Sequence, residues 1–401
     1  MTKPRTLVVA LCTALVLTMT GFMPVAAVLP EIFADWRITE AEAGWLNGVF
    51  FGGYAAGVPL LLPLTDRMDS RRVMLFAFAL SAIGGFGFAF FADGLWSGMA
   101  FRVLAGIGLA GIHFPGLKLI ADRLEGTARD RGSAVYISMF SIGGAVSFIG
   151  AGVIVEFLHW KAVFTVSGIC AVMALLLTAI VVPARAVIAP KDIGLLPDFR
   201  PVFRNGPAMR YVIAYFGHVW EVFAMRGWSV ALLTFSAAQI GNEVFTGWNM
   251  AILSGAVSML MMPTSVGVAE LASRFGRVRT VCFASAVTVL LVVLLVLFKT
   301  GPFLLIVVFI GAYLMAGFGD TATLANGIVG AAEDRYRGIT LAAYALSGFL
   351  GGMVGPVVFG IVLDFAGGRD SGTAWSWAFG SLLLGTLVVV LPLTLRRRKT
   401  A

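Results

Sequence analysis

Apolar runs of about twenty residues recur along the chain, separated by short polar stretches. A bilayer core of ~30 Å is crossed by about 20 mostly apolar helical residues. Twelve segments meet that length: 6–29, 42–64, 73–92, 95–121, 133–155, 161–183, 210–235, 248–270, 280–298, 302–330, 339–363 and 375–394. The longest interruption, "ARAVIAPKDIGLLPDFRPVFRNGPAM" at 184–209, carries four prolines and reads as a linker. The pattern predicts an all-α membrane protein with twelve transmembrane helices. An N-terminal six-helix bundle spans 1–183 and a C-terminal one spans 210–401.

Composition agrees. Of 401 residues, 59% are hydrophobic and 12% charged, against about a quarter charged in soluble domains. The outer surface must therefore be apolar, so the chain is expected in a lipid bilayer. The first apolar stretch is ~22 residues long, too long for the 7–15 of a secretory signal, and reads as a membrane helix. Cys12, Cys170 and Cys282 lie in apolar runs without metal-ligand spacing, so no disulfide, metal or cofactor is expected. "GIGLAG", Gly106 to Gly111, spells a dinucleotide motif but sits inside a helix with no strand before it. Its glycines, like Gly48/Gly52, Gly53/Gly57 and Gly351/Gly355, read as close helix contacts. No P-loop, H-E-x-x-H or G-x-S-x-G occurs. An enzyme is not expected, and transport would draw on an ion gradient.

Charge sets the orientation. With both termini and the linker on one side, that side holds 22 of the 29 Lys and Arg residues and the other holds four. The positive-inside rule then places both termini in the cytoplasm, in a cell inner membrane. The net charge of +8 follows from topology and implies no nucleic-acid partner. The terminal "RRRK", Arg396 to Lys399, reads as a stop at the headgroups.

Two sequence matches recur at one offset. "DRMDSRRVM" from Asp66 returns as "SRFGRVRTV" from Ser273, 207 residues later, and "RGSAVYISMFSIGG" from Arg131 returns as "RGITLAAYALSGFLGG" from Arg337, 206 residues later. The halves are therefore pseudo-symmetric repeats. The loop "LPLTDRMDSRR", its copy "AELASRFGRVR", the series Arg102, Gly106, Gly108, Gly111 and the entry "HWKAVF" at 159–164 carry a resemblance. The chain resembles the major facilitator superfamily over essentially its whole length. Asp66, Arg67 and Arg71 fit that family's loop pattern, and Arg274, Gly276 and Arg277 fit its second copy. Leu62, Asp69, Ser70 and Ser273 depart from it. The resemblance implies alternating access of two bundles around a cavity lined by helices 1, 4, 7 and 10. It also implies a small-molecule substrate and a cytoplasmic latch at Asp66, Arg67, Arg71, Arg274 and Arg277. A monomer is expected.

Ionisable side chains inside a bilayer are rare and usually functional. Arg102, His113 and Lys118 lie in the fourth span, His218, Glu221 and Arg226 in the seventh, and Asp320 in the tenth. At ~1.5 Å per residue, Glu221 is ~16 Å and His218 ~12 Å from Arg210, near mid-depth. Their spacing of three puts both on one helix face. Arg102, His113, His218, Glu221, Asp320, Trp220 and Arg226 are the candidate cavity residues, with Glu221 carrying a proton that His218 tunes. Lys118 and Arg226 have stems long enough to snorkel to the rim. Titratable Asp, Glu and His favour H⁺ as the coupling ion of a symporter or antiporter. The excess of basic groups favours a small organic anion. The alternative is efflux of an amphipathic compound, to which Trp220, Phe223, Met225 and Trp228 are suited. Against it, "SIGGAVSFIGAG" in the fifth span lacks the proline of drug antiporters. A non-transporting sensor with this fold is the remote alternative.

Topology is directly testable. Green fluorescent protein fused at the C-terminus is expected to fluoresce, and alkaline phosphatase fused after Lys299 to be active. The opposite pattern would invert the orientation.

Overall fold

The computed structural model describes residues 3–186, 198–240 and 243–395, and every regular element among them is helical. Each predicted span is a helix or a broken helix. In order they are Pro4–Met19 with Pro24–Ala27 and Leu29–Trp36, Glu40–Leu61, Ser70–Phe91, Leu95–Arg123, Gly126–Phe157 and Lys161–Val181. There follow Gly206–Ile240, Met250–Met259 with Met261–Phe275, Arg277–Phe298, Phe303–Gly319 with Thr321–Ala331, Arg337–Phe365 and Gly372–Thr394. The linker residues 187–197 and the "RRRK" stretch lie outside the described residues.

The helices group into two compact units, Met1–Pro197 with Gly247–Met259, and Asp198–Thr246 with Leu260–Ala401. The grouping differs from the sequence division at one place: the first half of the eighth span packs in the first unit. There the Asn249 side-chain amide donates to the Gly152 carbonyl at 2.8 Å. Gly255 lies against Ile149 and the Ala145 carbonyl, without a Cβ to hold the backbones apart. The helix stops at Met259 and restarts at Met261. Pro263 accounts for the break, because it has no N–H to give the Met259 carbonyl.

The first unit is organised around a second break. Pro24 cannot donate to the carbonyl of Thr20, four residues earlier, and the first span opens between Met19 and Pro24. Side chains take over the lost bonds. The Ser147 hydroxyl donates to the Thr20 carbonyl at 2.9 Å and accepts from the Met23 N–H at 2.9 Å. The Arg102 guanidinium donates to the carbonyls of Gly21 at 2.8 Å and Phe22 at 3.0 Å. Gly106, one turn along from Arg102, lets the fourth span approach the second, since any Cβ there would collide with the Phe50 carbonyl.

In the second unit the seventh span, 35 residues long, is the central packing element. Gly351 and Gly355 of the eleventh span sit under the carbonyls of Phe216 and Trp220. The Trp228 indole, fully buried, donates to the Pro356 carbonyl at 3.1 Å. Trp228 and Met225 are thus packing residues within this unit. The tenth span breaks at Asp320, between two helical pieces. The Thr321 hydroxyl donates to the Phe318 carbonyl at 2.6 Å and closes one of the bonds the break leaves open.

Gly106→Ala is expected to destabilise the protein by about 1–3 kcal/mol, the usual penalty of overpacking, because the obstructing atom is backbone and cannot rotate away. Thermal unfolding in detergent checks it. An unchanged midpoint would mean that the second and fourth spans are not in this contact.

Candidate functional site

His218 and Glu221 project from one face of the seventh span, and each is 2% exposed. They do not bond to each other. His218 Nδ1 lies 2.7 Å from Asp320 Oδ1, and its Nε2 lies 3.0 Å from the Thr321 hydroxyl. The break in the tenth span places both partners, at adjacent positions, around one imidazole. The hydroxyl chemistry assigns the ring. Thr321 has a single hydrogen and gives it to Phe318, so it accepts from His218 and Nε2 carries a proton. A protonated imidazole there is paired with the Asp320 carboxylate. Tyr215 stacks on His218, with ring centroids 5.6 Å apart and planes 15° from parallel, and on Tyr344 at 3.9 Å. That stack holds the imidazole plane.

Glu221 is held separately. Its Oε2 accepts from the Thr386 hydroxyl of the twelfth span at 2.7 Å, and the buried Tyr313 phenol neighbours the same carboxyl. Gly385 keeps a space beside it, since a Cβ there would come within 3.3 Å of the Glu221 Cβ. Among the described residues no Lys or Arg forms an ion pair with Glu221. Asp320, by contrast, lies within ion-pair distance of His218. The direct contact of His218 is with Asp320, which the broken tenth span brings to it, and Glu221 lies one helical turn away.

The other predicted positions separate by role. Arg102 is 3% exposed; its guanidinium serves the first-span carbonyls and lies 4.3 Å from the Phe50 ring centroid. His113 accepts from or donates to the Tyr54 hydroxyl through Nδ1 at 3.0 Å, with Phe140 and Phe114 at 4.7 and 5.0 Å. Its Nε2 makes no hydrogen bond among the described residues. Lys118 turns toward the helix end, 2.9 Å from Asp122 and 3.6 Å from Asp66, so the snorkelling reading describes it. Arg226 is buried, 5.6 Å from the Phe223 ring centroid. Trp220 is half-buried, and its indole N–H makes no hydrogen bond among the described residues.

In the expected latch region, Asp66 is half exposed and, among the described residues, pairs with Lys118 at the long end of ion-pair range. Asp69, 8% exposed, accepts from both the Arg71 N–H at 3.2 Å and the Arg185 N–H at 2.7 Å. It also takes a two-oxygen contact from the Arg123 guanidinium at 3.0 and 3.1 Å. Arg123 continues to the Pro183 carbonyl at 2.6 Å, and Arg71 to the Ala179 carbonyl at 2.8 Å. Asp69 therefore ties together the ends of the third, fourth and sixth spans. In the sequence it counted only as a departure from a motif. The usable signal was local: Asp immediately before a helix start is an N-cap. In the second copy, Arg274 pairs with Glu270 at 2.9 Å on an exposed helix face, and Arg277 is exposed.

Residues 10–332 match the profile of the Major Facilitator Superfamily. The niacin transporter NiaP of Acinetobacter baylyi is 24% identical over 37% of this chain and 34% of its own length. The gentisate transporter of Corynebacterium glutamicum is 24% identical over 84% of this chain and 76% of its own. The chain thus spans about a third of the first relative and three quarters of the second. A crystal structure of a bacterial homolog of the human lysosomal transporter Spinster superposes with a TM-score of 0.75, at 14% identity, covering 98% of this chain and 96% of that one. Its fold is the one described above.

Asp69→Ala removes the acceptor from a nearly buried ion pair and is expected to cost about 3 kcal/mol, read as a lower unfolding midpoint. Asp66→Asn, at a half-exposed pair, is expected to change it by under about 1 kcal/mol. Equal effects of the two would remove Asp69 from the hub.

Proposed function

The chain belongs to the Major Facilitator Superfamily, and from that premise we propose that it is a proton-coupled secondary transporter of a small organic anion. We place it in the cytoplasmic membrane as a monomer with both termini inside. The halves 1–183 and 210–401, joined by the 184–209 linker, work by alternating access. The observation that carries the coupling is the contrast between the two carboxylates of the second unit. Asp320 lies within ion-pair distance of His218, and with the imidazole protonated the pair has zero net charge. Glu221 accepts from the Thr386 hydroxyl beside the Tyr313 phenol and forms no ion pair among the described residues. Gaining or losing a proton at Glu221 changes the charge of the whole cluster, and a lone buried charge is costly in a bilayer. Glu221 thus carries the coupled proton, and the His218–Asp320 pair keeps the surroundings neutral.

Support for an organic anion comes from the relatives. Gentisate and niacin, for which two of them are named, are both carboxylic acids on an aromatic ring. The basic side chains contribute less than their number implies. Arg102, Lys118 and His218 are engaged within their own units. His113 and Trp220, each with a nitrogen that makes no hydrogen bond among the described residues, are the groups we assign to substrate recognition.

In proteoliposomes, Glu221→Gln is expected to abolish accumulation driven by a pH gradient while sparing exchange of solute for solute. Wild-type accumulation would remove Glu221 from coupling. Loss of exchange as well would make it a substrate ligand and pass the coupling role to Asp320. Gentisate and nicotinate are the first probes for a thermal-shift series, since a ligand stabilises the state it binds. Stabilisation by amphipathic cations instead of these acids would favour efflux.

A further inference from the structure

Thr386 has one hydroxyl hydrogen and two acceptors in reach. Its Oγ1 lies 2.7 Å from Glu221 Oε2 and 3.5 Å from the Leu382 carbonyl, one turn back in its own helix. An O–H···O bond spans about 2.5–3.0 Å, so the hydrogen goes to the carboxyl group and the carbonyl is held in reserve. Other helical threonines make the opposite choice. Thr18 donates to the Ala14 carbonyl at 2.9 Å and Thr340 to the Tyr336 carbonyl at 2.8 Å. Thr321, beside His218, gives its hydrogen to the Phe318 carbonyl at 2.6 Å. The hydroxyl next to the imidazole is thus committed to its backbone, and the one next to Glu221 is not.

The difference matters because the two forms of a carboxyl group ask for opposite partners. An ionised Glu only accepts, whereas a protonated Glu has one O–H to donate. A pure donor suits the first form and a carbonyl suits the second. A hydroxyl suits both, provided that its own hydrogen has somewhere to go when Glu221 donates. The Leu382 carbonyl supplies that place, since a carbonyl has a second lone pair beyond its helical bond. Glu221 and Thr386 are both buried, so neither can turn to bulk water instead. The other groups around the carboxyl are differently placed. The Tyr313 phenol beside it makes no hydrogen bond among the described residues. His218 and Asp320, which act on Glu221 through their charge, lie 2.7 Å from one another.

We propose that Thr386 is a positioning residue whose hydrogen bond with Glu221 reverses when Glu221 gains a proton. With Glu221 ionised, Thr386 donates to Oε2. When a proton from water forms an O–H bond on the carboxyl group, that O–H donates to Thr386 Oγ1, and the Thr386 hydrogen turns to the Leu382 carbonyl. Each state leaves the carboxyl group with a matched partner, which lets one buried site hold and release a proton. The inference rests on the reading of Glu221 as the carrier of the coupled proton, and it adds the residue that makes both of its forms tolerable.

The test is infrared difference spectroscopy of the full-length purified protein between acid and alkaline pH. The carboxyl C=O band of Glu221 is identified by its loss in Glu221→Gln. Thr386→Val keeps the shape and removes the hydroxyl, and it is expected to move that band to higher wavenumber. Thr386→Ser is expected to restore the band position. In proteoliposomes, Thr386→Val is expected to lower accumulation driven by a pH gradient ~tenfold, the equilibrium worth of a hydrogen bond to a charged group, while exchange of solute for solute continues. Thr386→Ser is expected to recover the accumulation. The absence of a band lost in Glu221→Gln, an unmoved band in Thr386→Val, or a loss of exchange along with accumulation would each overturn the proposal. The infrared result does not depend on transport, so the two readings fail separately. An unmoved band sinks this inference even where Glu221→Gln abolishes accumulation. Wild-type accumulation by Glu221→Gln sinks the coupling role even where the band moves.

Discussion

A backbone carbonyl inside a bilayer has no water to bond when its helical donor is missing. Much of the first unit follows from that constraint at one point, the opening between Met19 and Pro24. Proline creates the vacancy, and Ser147 and Arg102 fill it from the fifth and fourth spans. Three helices are thereby fixed by side chains that look, in isolation, like a stray hydroxyl and an isolated charge. Gly106 then sets how near the fourth span comes, because Arg102 reaches the opening only if the backbones are close.

The second unit answers the same constraint with acidic groups. Its tenth span is interrupted at Asp320, with glycines at 317 and 319 before it. Thr321 closes a carbonyl locally, which leaves the carboxylate to face His218. One aromatic stack and one hydroxyl then define the imidazole's orientation and its protonated nitrogen. Glu221 sits one helical turn away but belongs to another circle of contacts, made by Thr386 and Tyr313. The two carboxylates are thus chemically unequal although both are buried.

At the ends of the third, fourth and sixth spans, a single carboxylate again does several jobs. Asp69 caps a helix, pairs with Arg123 and receives a backbone N–H from Arg185. A buried ion pair of this kind is tolerated when all its lone pairs are occupied, and here both oxygens are bonded. Asp66, three residues earlier, lies half in solvent and can make no comparable tie.

The residues alone determined the helical membrane architecture, the positions of the twelve spans and the short list of buried ionisable groups. Apolar length and the scarcity of charge leave few other folds in a bilayer. The breaks were legible in part: Pro24 and Pro263 mark two of them, while the break at Asp320 has no proline to announce it. Partnership was not legible. Spacing along the seventh span pairs His218 with Glu221, but the groups that meet the imidazole are Asp320 and Thr321, about a hundred residues away. Arg102 reads as a free cavity charge until the carbonyls it bonds are seen, and Asp69 as a motif error until Arg123 meets it. Helical periodicity gives the face a side chain occupies and the cost of leaving it alone. Which group relieves that cost depends on where other helices break and how closely their glycines let them pack, and only the tertiary structure decides that.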